Sequence, residues 1–284
     1  LVEYSLKDNH CVLTFGDMMK VKGHKLSLTE AKATGGNVKI LYSPLSAVKI
    51  AIKSPETQFI FAAVGFETTA PIYALMIEEI IKNNIKNLKL MTSIKTIIPA
   101  ISYICENEKN IDAFLCPGHV SVIIGSSVYT DMALKYRKPF VIGGFEGGHI
   151  IAAIYEIIRQ ISNNEYSMKN MYQSAVSPEG NQKAKSLIDK YFEAADDYWR
   201  GIGIIKNSGL RLRTEYRDFD AGSTIFEDAD AAPSGCKCAD VILGRITPAQ
   251  CPLFGKACTP LNAVGACMVS SEGACGIWYR NCEV

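Results

Sequence analysis

The chain has 284 residues, 48% of them hydrophobic and 21% charged, with a formal net charge of +1. A chain of that length suggests two or three domains and buries a core without disulfide staples. The charge balance leaves no basic excess to hold a nucleic acid or an anionic membrane surface. No apolar run reaches the roughly 18 residues of a membrane span. The opening LVEYSLKDNH has neither the charged nor the apolar region of a signal peptide. It also lacks an initiator Met, so we expect the chain to begin inside a longer protein.

The first two-thirds alternate short apolar runs with amphipathic stretches. Strands are predicted at 12–15, 38–42, 59–64, 88–93, 113–115 and 140–142, all β-branched or aromatic runs of the kind buried in a parallel sheet. A helix is predicted over 71–82, where Ile72, Leu75, Met76, Ile80 and Ile81 recur at helical spacing and Pro71 occupies the first turn. Another is predicted over 149–162, with Ile150, Ile154, Ile157, Ile158 and Ile161 on one stripe. This alternation predicts an α/β fold with doubly wound parallel sheets. Two segments share an outline, FAAVGFETTAPIYALMIEEII and FVIGGFEGGHIIAAIYEIIRQ. Each has a strand, then Gly-Phe-Glu, then a helix, which places Glu67 and Glu146 at the strand ends where open α/β sheets bind ligands. From 163 to 213 the pattern turns helical, its strongest element being KAKSLIDKYFEAADDYWRGIG.

Ten cysteines are present, and seven fall at 236, 238, 251, 258, 267, 275 and 282. Without a secretion signal we expect a reducing, cytoplasmic setting, where a cysteine cluster binds metal or does redox work more often than it forms disulfides. The segment after Phe219 is rich in Gly, Pro, Asp and Cys and short of apolar residues, so it needs a crosslink to hold a shape. Repeated C-x₂₋₄-C knuckles of a zinc site are absent. The spacing is closer to an irregular thiolate cage for an iron–sulfur cluster. A structural zinc, disulfides and free thiols stay open as alternatives, and spacing does not single out four ligands among seven cysteines.

Several motifs then resemble one family in order. They are TFGDMMKVKG (14–23), YSPL (42–45), VGFETTAP (64–71), CPGHVSVIIG (116–125), GGFEGG (143–148), WRGIGIIKNSGL (199–210), YRDFDA (216–221) and the tail CPLFGKACTP…GACMVSSEGAC. Together they resemble the HypD family of [NiFe] hydrogenase maturation factors from about residue 11 almost to the end. The resemblance implies Rossmann-like α/β lobes with parallel sheets, plus a small carboxyl-terminal cysteine-rich iron–sulfur domain. Boundaries are expected at 1–55 for the remainder of a first lobe, 56–162 for a second, 163–220 for a helical connection and 221–284 for the iron–sulfur domain. It implies a [4Fe–4S] cluster and a cytoplasmic protein, monomeric when free, that works with a HypC-type chaperone and a HypE-type cyanide donor. Together they assemble Fe(II) carried as Fe(CN)₂CO, so the protein is an assembly factor acting within a complex rather than an ordinary turnover enzyme. The cluster ligands it implies are Cys236, Cys251, Cys258 and Cys275, with Cys238 and Cys267 as alternates and Cys282 incidental. The family's amino-terminal Cys-Gly-Thr-His motif, which binds the transferred iron, and its Gly-Pro-Gly-Cys-Pro-x-Cys motif do not occur in this chain. An amino-terminally truncated sequence is the expected reason.

Four residues are the catalytic candidates. His119, in Pro-Gly-His after a strand, carries an imidazole that titrates near neutrality and suits proton transfer, or else a structural hydrogen bond. Glu67, followed by Thr68 and Thr69, is placed to orient that imidazole or a partner's lysine, or else to favour the start of the helix that follows it. Asp17, with Thr14, belongs to a third strand end and part of the same crevice. Gly147 and His149 depart from the family pattern beside Glu146. His149 reads as a helix-start residue, His10 and His24 as exposed loop residues, and Tyr42, Trp199 and Arg200 as packing residues. Two rival functions are a stand-alone iron–sulfur oxidoreductase and a zinc-stapled binding module. The first would need a phosphate-binding Gly-x-Gly-x-x-Gly after a strand, and none is present.

Overall fold

A computed structural model of the chain describes residues 1–23, 26–223 and 235–281; His24 and Cys282 lie outside the described residues. The chain forms two compact units, one made of 1–64, 72–94 and 191–284, the other of 65–71 and 95–190.

The first unit is built on a six-stranded sheet. Its strands are β1 (His10–Thr14), β2 (Val38–Ile40), β3 (Gln58–Gly65), β4 (Leu88–Lys95), β8 (Phe192–Trp199) and β9 (Gly203–Leu212), in the order β2-β1-β3-β4-β9-β8. β1 pairs parallel with both β2 and β3. That position explains its sequence: Cys11, Val12, Leu13 and Thr14 are all fully buried, because a strand covered on both faces is apolar throughout rather than alternating. Helices α1 (Val2–Ser5), α2 (Leu28–Ala33), α3 (Leu45–Lys53) and α4 (Ala70–Lys82) punctuate this part of the chain. α2 opens with a capping box in which the Ser27 backbone N–H donates to Glu30 Oε2 and the Glu30 N–H to Ser27 Oγ, satisfying two amides that the helix leaves free. α4 buries Tyr73, Ala74, Met76, Ile77 and Ile80, so of the predicted stripe Met76 and Ile80 face inward while Leu75 and Ile81 are exposed, and Tyr73 Oη donates to Val64 O at 2.7 Å.

The second unit carries a three-stranded parallel sheet, β5 (Phe114–Cys116), β6 (Phe140–Ile142) and β7 (Met168–Asn170), in that order. Around it run α5 (Ile97–Asn107), α6 (Gly118–Ile124), α7 (Val128–Tyr136), α8 (Gly147–Ser162) and α9 (Gln182–Tyr191). Its core holds Ile101, Cys116, Tyr129, Met132, Phe140 and Ile142, with Phe114 stacked on Phe140 at 4.8 Å. After β9 the first unit continues into short helices α10 (Cys238–Ile242), α11 (Ala266–Val269) and α12 (Ala274–Asn281). The fold is therefore mixed α/β with parallel sheet segments and the cysteines gathered at its carboxyl-terminal end. Among the described residues no helix is long and apolar enough to cross a membrane.

Three expectations are corrected. The helical stretch predicted through KAKSLIDKYFEAADDYWRGIG stops at Tyr191; the rest, Phe192–Trp199, is a strand antiparallel to β9 with a bulge between Ala195 and Asp197. Local propensity in Glu-Ala-Ala favours helix, but pairing with the β-branched run of β9 wins, since strand preference is set by the partner more than by the backbone. His10 opens β1, half-buried, with Nδ1 2.8 Å from Asp8 O and its ring on Tyr4, rather than lying in an open loop. Tyr42 is 98% exposed and packs nothing, because β2 ends at Ile40 and the chain turns toward Pro44 before α3 begins.

Buried Asn87 binds the start of β4 to the end of α3. Its Nδ2 donates to Ala51 O, Ser54 O and Thr57 O at 3.1, 3.0 and 2.9 Å. Asn87→Ala would remove these bonds between β4 and the end of α3, a loss of about 2 kcal/mol. It should lower the denaturation midpoint accordingly; an unchanged midpoint would show that these bonds are not made.

Candidate functional site

The cysteine segment folds around its own thiols. Four of the seven buried residues of its cluster are Cys238, Cys258, Cys267 and Cys275, joined by Val241, Ala263 and Met268, with Cys236 against them. Ile246, Leu253, Phe254, Val264, Val269 and Tyr279 pack around this cluster, so its interior is shared between sulfur and apolar side chains. Cys267 Sγ donates to Cys275 Sγ at 3.0 Å. The Cys267 backbone N–H donates to Cys238 Sγ and the Val264 N–H to Cys258 Sγ, each at 3.4 Å. Cys251 is half-buried and electrostatically coupled to Cys236, as are Cys238 and Cys258. A Cβ at Gly265 would stand 2.7 Å from Cys236 Sγ, so only glycine lets this backbone come so near the sulfur. The segment is held to the rest of its unit by α11 beside the Asp17–Lys20 turn and by Lys20 Nζ donating to Pro260 O at 3.4 Å.

Three of the thiols resist ionisation. Burial pushes the Cys236 thiol up. Cys238 is pushed up by its hydrogen bond with Cys267 and then by burial, against a smaller opposing pull from the Arg200 guanidinium. The bond with Cys238 pulls Cys267 down, but its bond with Cys275 and its burial outweigh that and leave it at about 12. Several thiolates crowded in one dry place need a cation to neutralise them. Among the described residues no three His, Cys, Asp or Glu side chains are grouped to hold a single metal ion. A cluster of several irons takes one thiolate per iron, so its donors stand further apart than those around one ion.

The four catalytic candidates are placed differently. Asp17 is exposed in the turn after β1, its Oδ1 accepting from Met18 N at 2.9 Å, and belongs to the first unit. Thr14 is fully buried there with an unpaired Oγ1. Glu67, Thr68 and His119 belong to the second unit. Glu67 is 6% exposed, and its Oε1 accepts from Ile97 N at 2.7 Å. Its anchor is therefore the first amide of α5, neither His119 nor the helix that follows it in sequence. The buried Oε2 has no hydrogen-bond partner. Burial pushes this carboxyl above the ordinary carboxylate range, with the Ile97 amide pulling the other way. Near it lies Tyr129, fully buried and pushed up by burial, with Cys116 and Glu67 adding to the rise and Ser121 Oγ 3.3 Å from its hydroxyl. Thr68 and Glu146 are exposed. His119 is exposed in the first turn of α6, its ring stacked on Phe145 at 4.0 Å. His149 lies in the first turn of α8 with a buried, unpaired Nδ1. Sequence reading missed Phe145, Tyr129 and the contact of Cys238 with Cys267. The Phe within Gly-Gly-Phe-Glu, straight after a strand, was the one legible signal among them.

The buried carboxyl makes a pH prediction. A carboxyl whose folded pKa is raised contributes stability that is complete below its unfolded value and fades as pH rises through the folded one. Glu67→Gln keeps an acceptor for Ile97 N and removes the ionisation. Its melting temperature should match the parent's under acid and exceed it increasingly as pH climbs from about 4.5 toward neutrality. Parallel melting curves across that range would contradict the burial described.

Comparison with known proteins places these features in a family. The model of the HypD family, described as hydrogenase formation hypA family, matches residues 1–282. A protein of Methanocaldococcus jannaschii named for hydrogenase expression/formation is 39% identical over 279 residues, 98% of this chain and 78% of that protein. The hydrogenase maturation factor HypD of Escherichia coli K12 is 38% identical over 276 residues, 94% of this chain and 73% of its own length. That of Azotobacter vinelandii is 36% identical over 288 residues, covering 98% and 76%. The chain thus spans about three quarters of the length of these relatives. On this evidence the chain belongs to the HypD family of hydrogenase maturation factors.

Proposed function

We propose that the chain is a cytoplasmic scaffold on which the iron of a [NiFe] hydrogenase receives its cyanide and carbonyl ligands, in company with a HypC-type chaperone and a HypE-type cyanide donor. In this reading its carboxyl-terminal segment is an iron–sulfur domain holding a [4Fe–4S] cluster. The observation that carries it is the convergence of six cysteines in one segment. Thiolates are soft donors that suit iron. Cys236, Cys251, Cys258 and Cys275 are the ligands in this reading. Cys238 and Cys267, already in contact with each other, are then left as a thiol pair beside them. The Val264 N–H aimed at Cys258 stabilises sulfur that has lost its proton. Bound there, a cluster supplies electrons one at a time to a dithiol.

The parallel segments β2-β1-β3 and β5-β6-β7 support reading both units as Rossmann-like lobes, whose strand ends carry the working residues. His119 moves a proton at an imidazole nitrogen as the cyano group is handed over. Glu67, its carboxyl pushed above the ordinary carboxylate range by burial, and the exposed Thr68 and Asp17 complete the polar edges of the two units. The iron carried as Fe(CN)₂CO is cargo in this scheme.

Chemical analysis after anaerobic isolation tests the reading. We expect about four irons and four acid-labile sulfides per chain. Cys236→Ser, Cys251→Ser, Cys258→Ser and Cys275→Ser should each lower both, whereas Cys238→Ser and Cys267→Ser should keep them. Zinc without sulfide would overturn the cluster. Loss of iron from Cys238→Ser but not from Cys236→Ser would overturn the ligand set.

A further inference from the structure

We propose that Phe145 is a positioning residue for His119, holding the imidazole in the one orientation from which it transfers a proton. The inference rests on the role given to His119 above.

His119 is exposed, and an exposed imidazole ordinarily samples several rotamers, each transfer then requiring a search for the right one. Here its ring lies face to face with that of Phe145, centroids 4.0 Å apart and planes 27° apart. Phe145 is itself 55% exposed, so burial in a core does not explain why a large apolar ring stands at this place. What it touches does. On its other side Phe145 meets Tyr172 edge-on, at 6.4 Å and 84°, a favoured geometry for two aromatic rings. Tyr172 is fixed in turn: its backbone N–H donates to Asn170 Oδ1 at 2.9 Å, and Asn170 Nδ2 donates to Val176 O at 2.8 Å. A line of support thus runs from the end of β7 through Tyr172 and Phe145 to the imidazole.

Gly118 makes the approach possible. A Cβ there would stand 2.9 Å from Gly143 O, 3.1 Å from Phe145 Cε2 and 3.3 Å from Tyr172 Cδ1. Any side chain at 118 would push the first turn of α6 away from the β6–α8 loop and separate the two rings. The Gly immediately before the His and the Phe after Gly-Gly therefore form one device, assembled from two strand ends of the same sheet.

The test uses Phe145→Leu, Phe145→Tyr and His119→Ala, each expressed from the protein's own gene in a hydrogenase-producing host lacking its native family member. Nuclear magnetic resonance on histidine-labelled protein provides the second readout. In the parent and in Phe145→Tyr, the His119 ring protons should be shifted by the neighbouring ring current. In Phe145→Leu that shift should vanish while the other histidines keep theirs. Hydrogenase formation should fall roughly tenfold or more in Phe145→Leu and be restored in Phe145→Tyr, with iron content unchanged throughout. A parent lacking the ring-current shift overturns the inference. So does a Phe145→Leu protein that supports hydrogenase formation at the parent level while His119→Ala fails to. If His119→Ala is itself fully active, the role of His119 falls, and this inference falls with it.

Discussion

The carboxyl-terminal segment depends on sulfur meeting sulfur. Chain closure costs conformational entropy at every ordered residue, and the segment around Cys236–Cys275 offsets it with thiols and apolar groups together: Val241, Ala263 and Met268 are buried among four cysteines, with Ile246, Leu253, Phe254, Val264, Val269 and Tyr279 packed around them. Thiols alone are weak hydrogen-bonding groups, and the pair at 3.0 Å between Cys267 and Cys275 adds little on its own. The raised pKa values of Cys236, Cys238 and Cys267 express the same tension. These thiols cannot all ionise in company unless positive charge is brought among them. Binding iron would answer the folding problem and the electrostatic problem together.

The two units offer the rest of the protein contrasting polar environments. In the second, Glu67 is a buried carboxyl with one oxygen on a helix amide and one unpaired, while His119 reaches solvent against an aromatic face. One group is held away from water; the other is accessible. In the first unit Thr14 and Asp17 stand at the end of β1, beside the turn on which the cysteine segment rests.

Much of this was legible in the sequence, for identifiable reasons. Strands β1 to β6 were readable because parallel strands are apolar without interruption, as in β1 and β6, and α4 and α8 because their Ile and Leu recur at helical spacing; β7 and β9 lay in the stretch read as helical. The β8 strand was not, since Glu-Ala-Ala-Asp-Asp carries no strand signal and its pairing with β9 is decided by the partner. Glu67 was correctly marked as a strand-end residue, yet its partner Ile97 lies 30 positions away, and nothing local announces it. Likewise Cys238 and Cys267 are separated by 29 positions. Spacing shows that the thiols are concentrated in one segment and does not show which of them face each other. Single-chain patterns encode periodicity well and long-range contact poorly.

The central claim is that the clustered thiols hold a [4Fe–4S] centre. Electron paramagnetic resonance of the anaerobically isolated, dithionite-reduced protein tests it most directly. A spin-one-half signal of a reduced cubane, absent before reduction and lost when Cys258 is replaced by Ser, is the expected result. A protein silent after reduction, or one showing only isolated high-spin iron, would contradict it.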